Sequence, residues 1–97
     1  MSTVIWAANG ASVTMGHPMR LMSLWALLEQ SIPEAERSSM SLLLSVPYLN
    51  EEELSDEQVV TLLDEADRAR QYTKNEEIID RLDALSGLKA GNGDQSV

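Results

Sequence analysis

A chain of 97 residues, 43% of them hydrophobic, is long enough to enclose one modest core and too apolar to stay disordered. Its formal net charge of -9 disfavours nucleic acid and anionic membrane surfaces as partners. The chain contains no cysteine, which excludes disulfides and thiol chemistry.

The charge is divided unevenly along the chain. Residues 1–50 carry two arginines against three glutamates, whereas residues 51–97 carry five basic against thirteen acidic side chains. Both tryptophans and the methionines lie in the first forty residues. The sequence therefore joins an apolar front half to an acidic back half.

A β-hairpin is predicted over about residues 3–15. Asn9-Gly10 is the preferred pair for a type I′ turn, in which both central residues have positive φ. A two-residue loop fixes the cross-strand register and gives the ribbon one apolar face. That face would consist of Val4, Trp6, Val13 and Met15. The alternative is an irregular N-terminal arm, which would make the chain all-α.

Two helices are predicted in the rest of the front half. The first covers about residues 18–31 and begins at Pro18, whose missing N–H costs nothing in a first turn. It is apolar nearly all round, so it is either buried or shared with a partner. Ser31-Ile32-Pro33-Glu34 has the pattern of a capping box. It predicts a second helix over about residues 33–45, which Pro47 ends.

Two amphipathic helices are predicted in the acidic back half. Ser55-Asp56-Glu57-Gln58 is a second capping box and opens a helix over about residues 56–73. The last helix covers about residues 75–86. Ser86-Gly87-Leu88 predicts a Schellman ending with a left-handed glycine. Residues 90–97 are small and polar, and we expect a flexible tail.

These elements predict an α+β fold that is mostly α. A short N-terminal hairpin packs on a bundle of about four helices, because an isolated two-stranded ribbon is marginal in water. We expect residues 1–89 to form one small domain.

No set of residues in the sequence forms a recognisable reaction centre. His17 is the only histidine, and we expect it to act at a helix start beside Pro18. Asp64-Glu65-Ala66-Asp67 has the letters of a DEAD-box Walker B motif, but the chain has no P-loop and this segment has helical periodicity. The acids of residues 51–57 lack the spacing of an EF-hand loop. We therefore expect no catalytic residue, cofactor or metal site, and no enzymatic activity.

The sequence also predicts where the protein does not reside. Its N-terminus lacks a basic stretch followed by a long apolar run, so we expect no signal peptide. The longest strongly apolar stretch, Leu21 to Leu28, is much shorter than the ~20 residues that a membrane span needs. We expect a cytoplasmic protein that does not contact the membrane.

The division of charge predicts a non-enzymatic protein-interaction module that binds a basic or apolar protein surface. An inhibitor of the immunity or antitoxin type would fit this size and charge. The predicted anchors are the apolar side chains Trp6, Met22 and Trp25. The predicted steering residues are Glu51, Glu52, Glu53, Asp56 and Glu57. The alternative is a structural homo-oligomer, such as a two-fold homodimer, or a small subunit of a larger complex.

Overall fold

A computed structural model describes residues 2–49 and 52–89. The predicted fold class, α+β and mostly α, is confirmed. In chain order the elements are β1 (Thr3–Ala7), β2 (Ser12–Gly16), α1 (Pro18–Ser31), α2 (Glu34–Arg37), α3 (Ser41–Leu44), β3 (Glu53–Leu54), α4 (Asp56–Ala69) and α5 (Glu76–Ala84). No helix among the described residues is long and apolar enough to cross a membrane. The expected tail, residues 90–97, lies outside this description.

The sheet has three strands in the order β2-β1-β3. The hairpin strands β1 and β2 are antiparallel, and β3 pairs with the other edge of β1 in parallel. The Ala8 N–H continues this pairing by donating to the Leu54 carbonyl at 2.7 Å. The sequence analysis did not predict β3, and its presence means that part of the β1 edge is already occupied.

The hairpin loop has three residues, so the predicted two-residue loop is wrong. The Ala7 N–H donates to the Ala11 carbonyl at 2.9 Å, and the Gly10 N–H donates to the Ala7 carbonyl at 3.0 Å. Gly10 has φ of 94°, which only glycine adopts at low cost. The Asn9 side chain accepts the Ala11 N–H at 2.7 Å and stabilises the turn. A type I turn followed by a left-handed glycine is the usual three-residue hairpin connection.

This loop shifts the register by one residue, so the predicted apolar face of the ribbon is also wrong. Ile5 faces Val13, and Trp6 faces Ser12. Because side chains alternate along a strand, a shift of one residue exchanges the two faces. The buried face now carries Thr3, Ile5, Ala7 and Met15. Trp6 lies on the outer face.

One side of helix α1 packs into the hydrophobic core. The His17 Nδ1 accepts the Met19 N–H at 3.2 Å, which confirms the expected role of this histidine at a helix start. The helix ends where Ile32 becomes extended. Its buried residues are Leu21, Leu24, Trp25 and Leu28. The opposite side of α1 faces outward.

The segment after α1 is a broken series of short turns rather than one helix. Helices α2 and α3 are separated by a 3₁₀ turn at Ser38–Met40. The predicted capping box is wrong because Ser31 is still helical and its hydroxyl donates back to the Leu27 carbonyl at 3.0 Å. An N-cap needs non-helical backbone angles, which Ser31 does not have.

The backbone of Leu43 anchors this broken segment to the rest of the molecule. Its carbonyl accepts the Trp25 Nε1–H at 2.7 Å, and its N–H donates to the Glu65 Oε1 at 2.9 Å. Both bonds are buried and link α3 to α1 and α4. Buried backbone groups need such partners, because leaving one unpaired costs about 1–3 kcal/mol.

Helix α4 begins as predicted. The Ser55 hydroxyl accepts the Gln58 N–H at 3.2 Å, and the Gln58 side chain accepts the Ser55 N–H at 2.9 Å, so this capping box is confirmed. A 3₁₀ turn at Arg70–Tyr72 ends the helix earlier than expected. The inward residues Val59, Leu62, Ala66 and Ala69 join the core.

Helix α5 closes the bundle and ends in a 3₁₀ turn at Leu85–Leu88. The Asn75 side chain caps its start by accepting the N–H groups of Glu77 and Ile78 at 2.9 and 3.2 Å. The predicted Schellman ending is wrong. Among the described glycines, positive φ occurs at Gly10 and Gly16 and not at Gly87. Gly87 instead allows close packing, since a Cβ there would lie 2.7 Å from the Val13 Cγ1.

Replacing Gly87 tests this close approach. Gly87→Ala should lower the free energy of unfolding by about 1–3 kcal/mol, because the strand-held Val13 has little freedom to move aside. The same substitution in a Val13→Ala background should cost clearly less. Urea unfolding of the four proteins in this double-mutant cycle measures the difference. Equal costs in both backgrounds would contradict the packing explanation.

Replacing Trp25 tests the anchoring of Leu43. Trp25→Phe removes the indole N–H donor and leaves the buried Leu43 carbonyl without its partner. The free energy of unfolding should therefore fall by about 1–3 kcal/mol. Trp6→Phe is the matched control: it is the same exchange at an exposed site and should change stability by no more than about 0.5 kcal/mol. Thermal and urea unfolding followed by circular dichroism give both values. Similar losses in the two variants would refute the anchoring role.

Candidate functional site

The three predicted anchors are distributed between surface and core. Trp6 and Met22 have exposed fractions of 46% and 45%. Trp25 is only 3% exposed, and its indole N–H is already bonded to Leu43. Trp25 therefore belongs to the interior and is not available as a surface anchor, which corrects the expectation from sequence.

The predicted steering acids that the structure describes are all exposed. Glu52 and Glu53 lie at the sheet, while Asp56 and Glu57 form the first turn of α4, where the helix dipole favours negative charge. Glu51 lies outside the described residues. Within residues 2–49 and 52–89, none of these four carboxylates forms an ion pair. We call Glu52, Glu53, Asp56 and Glu57 the acidic segment.

The sheet brings one anchor and one acid together. Trp6 of β1 is the register partner of Glu53 in β3 and of Ser12 in β2. All three residues are exposed, so they form one row across the outer face of the sheet. Sequence reasoning missed this row because a two-residue strand pairing over a long distance leaves no local pattern.

Four arginines of the described region pair with acids outside the acidic segment, whereas Arg37 donates to the Ile32 carbonyl. Arg68 lies 3.2 Å from Asp64, four residues earlier on α4, and Arg70 lies 2.9 Å from Asp83. A third group consists of Arg20, Glu77 and Arg81. None of the ion pairs among the described residues therefore includes a carboxylate of the acidic segment.

The third group joins α1 to α5. The Arg20 side chain forms a two-pronged contact with the Glu77 carboxylate, with its Nε 2.9 Å from the Oε2, and Arg81 lies 3.8 Å from the same carboxylate. Hydrogen bonding from Arg20 lowers the pKa of Glu77; loss of solvent opposes this, and the charges of Arg20 and Arg81 add to it. The same contact raises the pKa of Arg20.

An apolar hollow lies on the outer side of α4, beside the acidic segment. Its volume is about 340 Å³, and its lining includes Asp56 and Lys89. Its apolar lining residues are Val59, Val60 and Leu63. A second, more open hollow on the other side of Val60 is lined by Asp56, Glu57 and Thr61. Neither hollow is lined by histidine.

The outer face of α1 forms a separate apolar surface. Met19 is 72% exposed, and Leu27 is half exposed. Met22 and Ala26 lie between them and border a shallow depression that also touches Tyr48. We call Met19, Met22, Ala26, Leu27 and Tyr48 the α1 patch. Of the residues in the α1 patch, only Met22 was predicted from sequence as a binding residue. The helical spacing of Met19, Met22 and Leu27 was the signal that could have identified the other members on this helix.

Three of the side chains that could carry chemistry have structural partners. His17 caps α1, Glu65 is buried against Leu43, and Asp64 pairs with Arg68. Among residues 2–49 and 52–89, no three His, Asp or Glu side chains are grouped so that they could hold a metal ion. The arrangement can offer charge, an aromatic face and apolar area, which are the means of protein recognition.

Comparisons of the chain with protein-family models, with curated proteins and with solved structures found no match.

Lowering the pH tests the ion pair between α1 and α5. Because the folded state lowers the pKa of Glu77, the pair stabilises the protein above the carboxyl pKa of the unfolded chain, about 4.3. This contribution is lost as the pH falls through the lower, folded-state value. The difference in free energy of unfolding between the wild type and Glu77→Gln should be largest at neutral pH. It should shrink as the pH falls below about 4.

Urea unfolding at several pH values measures this gap. Asp67→Asn serves as the control, since Asp67 is exposed and forms no ion pair within the described residues. Its effect should stay small throughout the range. A gap for Glu77→Gln that is the same at neutral and acid pH would contradict the assignment.

Proposed function

We propose that this chain is a non-enzymatic protein-interaction module that binds a basic or apolar surface of another protein. The observation that carries the proposal is the placement of Trp6 beside Glu53 on an exposed sheet face. Tryptophan is enriched among the residues that dominate binding energy at interfaces. An inhibitor of the immunity or antitoxin type is one form such a module takes.

The acidic segment supports a steering role in this proposal. Its four carboxylates are exposed and form no ion pair within the described residues, whereas Arg20, Arg68, Arg70 and Arg81 pair with other acids. Uncompensated charge of one sign raises the association rate with a partner of opposite sign by about 10- to 1000-fold. The apolar hollow beside Asp56 adds area that a partner could cover.

The α1 patch favours a second candidate function, a homo-oligomer or a small subunit of a larger complex. Met19 and Leu27 are large apolar side chains on the same exposed helix face. Exposed apolar patches of this kind mark interaction surfaces, and methionine adapts to different partner shapes. In this case the acidic segment serves for solvation alone.

Affinity capture followed by kinetics tests the proposal. The tagged full chain is used to capture proteins from its source cell, and the association rate of the captured, purified protein is then measured. Glu52→Lys with Glu53→Lys should slow association by at least about tenfold at low salt. The matched double variant, Asp67→Lys with Asp80→Lys, changes the net charge equally on exposed α4 and α5 positions and should slow it by less than about threefold.

Two results would count against the proposal. Equal rates for the two double variants would show that only total charge matters and that the acidic segment does not steer. Recovery of copies of the chain alone, together with a dimer mass in light scattering, would favour the homo-oligomer instead.

A further inference from the structure

Building on the proposed function, we infer that Trp6 and Glu53 together hold an arginine side chain of the protein partner. The guanidinium lies on the face of the Trp6 indole, and its N–H groups donate to the Glu53 carboxylate. This names the chemistry that the sheet face recognises, beyond the general affinity for a basic surface.

The register places the two groups at the right separation. Register partners on neighbouring strands lie about 4.8 Å apart along the hydrogen-bonding direction, and their side chains leave the same face. Trp6 and Glu53 are such partners, and both are exposed. A guanidinium stacked on the indole therefore lies within reach of the neighbouring carboxylate.

The surroundings leave the indole accessible. On its other side the register partner is Ser12, whose short side chain cannot extend across the ring. The exposed fraction of Trp6, 46%, is large for a residue in the central strand of the sheet. A ligand can therefore lie on the aromatic face without displacing part of the protein.

The charge around the row favours a cation. Glu53 forms no ion pair within the described residues, and Glu52 adds a second exposed carboxylate beside it. Arg20, Arg68, Arg70 and Arg81 all pair with acids of α4 or α5. An incoming guanidinium therefore meets uncompensated negative charge.

Arginine fits this pair better than other side chains. Its planar guanidinium both stacks on an aromatic ring and matches a carboxylate with two parallel N–H donors. The ammonium of lysine is a strongly hydrated point charge and cannot stack. An apolar side chain over Trp6 would cover Glu53 without giving it a partner, which is costly for a charge.

A short peptide probe tests the inference on the full chain. Acetyl-Gly-Arg-Gly-amide is titrated at low salt into ¹⁵N-labelled protein, and the indole and backbone N–H signals are followed. The Trp6 indole and the Glu53 amide should shift together and saturate, whereas the buried Trp25 indole should not move. Replacing arginine by citrulline, its neutral isostere, should weaken binding by about tenfold or more.

Matched variants separate specific recognition from general attraction. Glu53→Gln should weaken binding of the arginine peptide by about fivefold or more, because it removes a charge-assisted bond. Glu57→Gln removes the same charge from the first turn of α4 and should weaken it by less than about twofold. Trp6→Thr should remove saturable binding, and Trp6→Phe should retain part of it, since phenylalanine still offers a ring. Circular dichroism confirms that each variant is folded.

Each outcome decides the question. Equal losses for Glu53→Gln and Glu57→Gln, equal binding of arginine and citrulline peptides, or no shift at Trp6 at any attainable peptide concentration would overturn the arginine site. Those results leave the proposed interaction function standing if the charge-reversal experiment succeeds. That function fails separately, when capture returns only the chain itself.

Discussion

The backbone of Leu43 is held from two sides by buried side chains, and much of the helical arrangement depends on this contact. Trp25 of α1 binds its carbonyl, and Glu65 of α4 binds its N–H. The short helices around it have few internal hydrogen bonds, so they cannot hold their own position. The contact also explains why Trp25 and Glu65 lie in the interior, since each pairs with a buried backbone group there.

The position of α4 in turn determines the outer face of the sheet. Leu54 of β3 is buried immediately before Ser55 caps α4, so the strand and the helix start are fixed together. β3 then lies parallel to β1 and brings Glu53 beside Trp6. The candidate site is therefore a consequence of long-range packing: neither residue has a local reason to meet the other.

Sequence reasoning succeeded where the cause is local and failed where it is not. The Ser55 capping box and the role of His17 involve residues within three positions of each other, and both were predicted. The hairpin was predicted, but a loop of three residues instead of two reversed its faces and moved Trp6 to the surface. At Gly87 the local pattern suggested a left-handed ending, whereas packing against Val13 explains the glycine. The pairing of β3 left no signal in the sequence.

The exposed acids differ in how far the fold explains them. Asp56 and Glu57 lie in the first turn of α4, where carboxylates stabilise the helix by about 0.3–1 kcal/mol each, so they have a structural reason to be acidic. Glu53 lies on the edge strand β3 and forms no ion pair within the described residues; an exposed charge there discourages pairing with another sheet edge but stabilises no helix. It is also the acid that stands next to an exposed tryptophan. Under the proposed function, this acid and the exposed ring share one further role, because a single arginine of the partner would contact both.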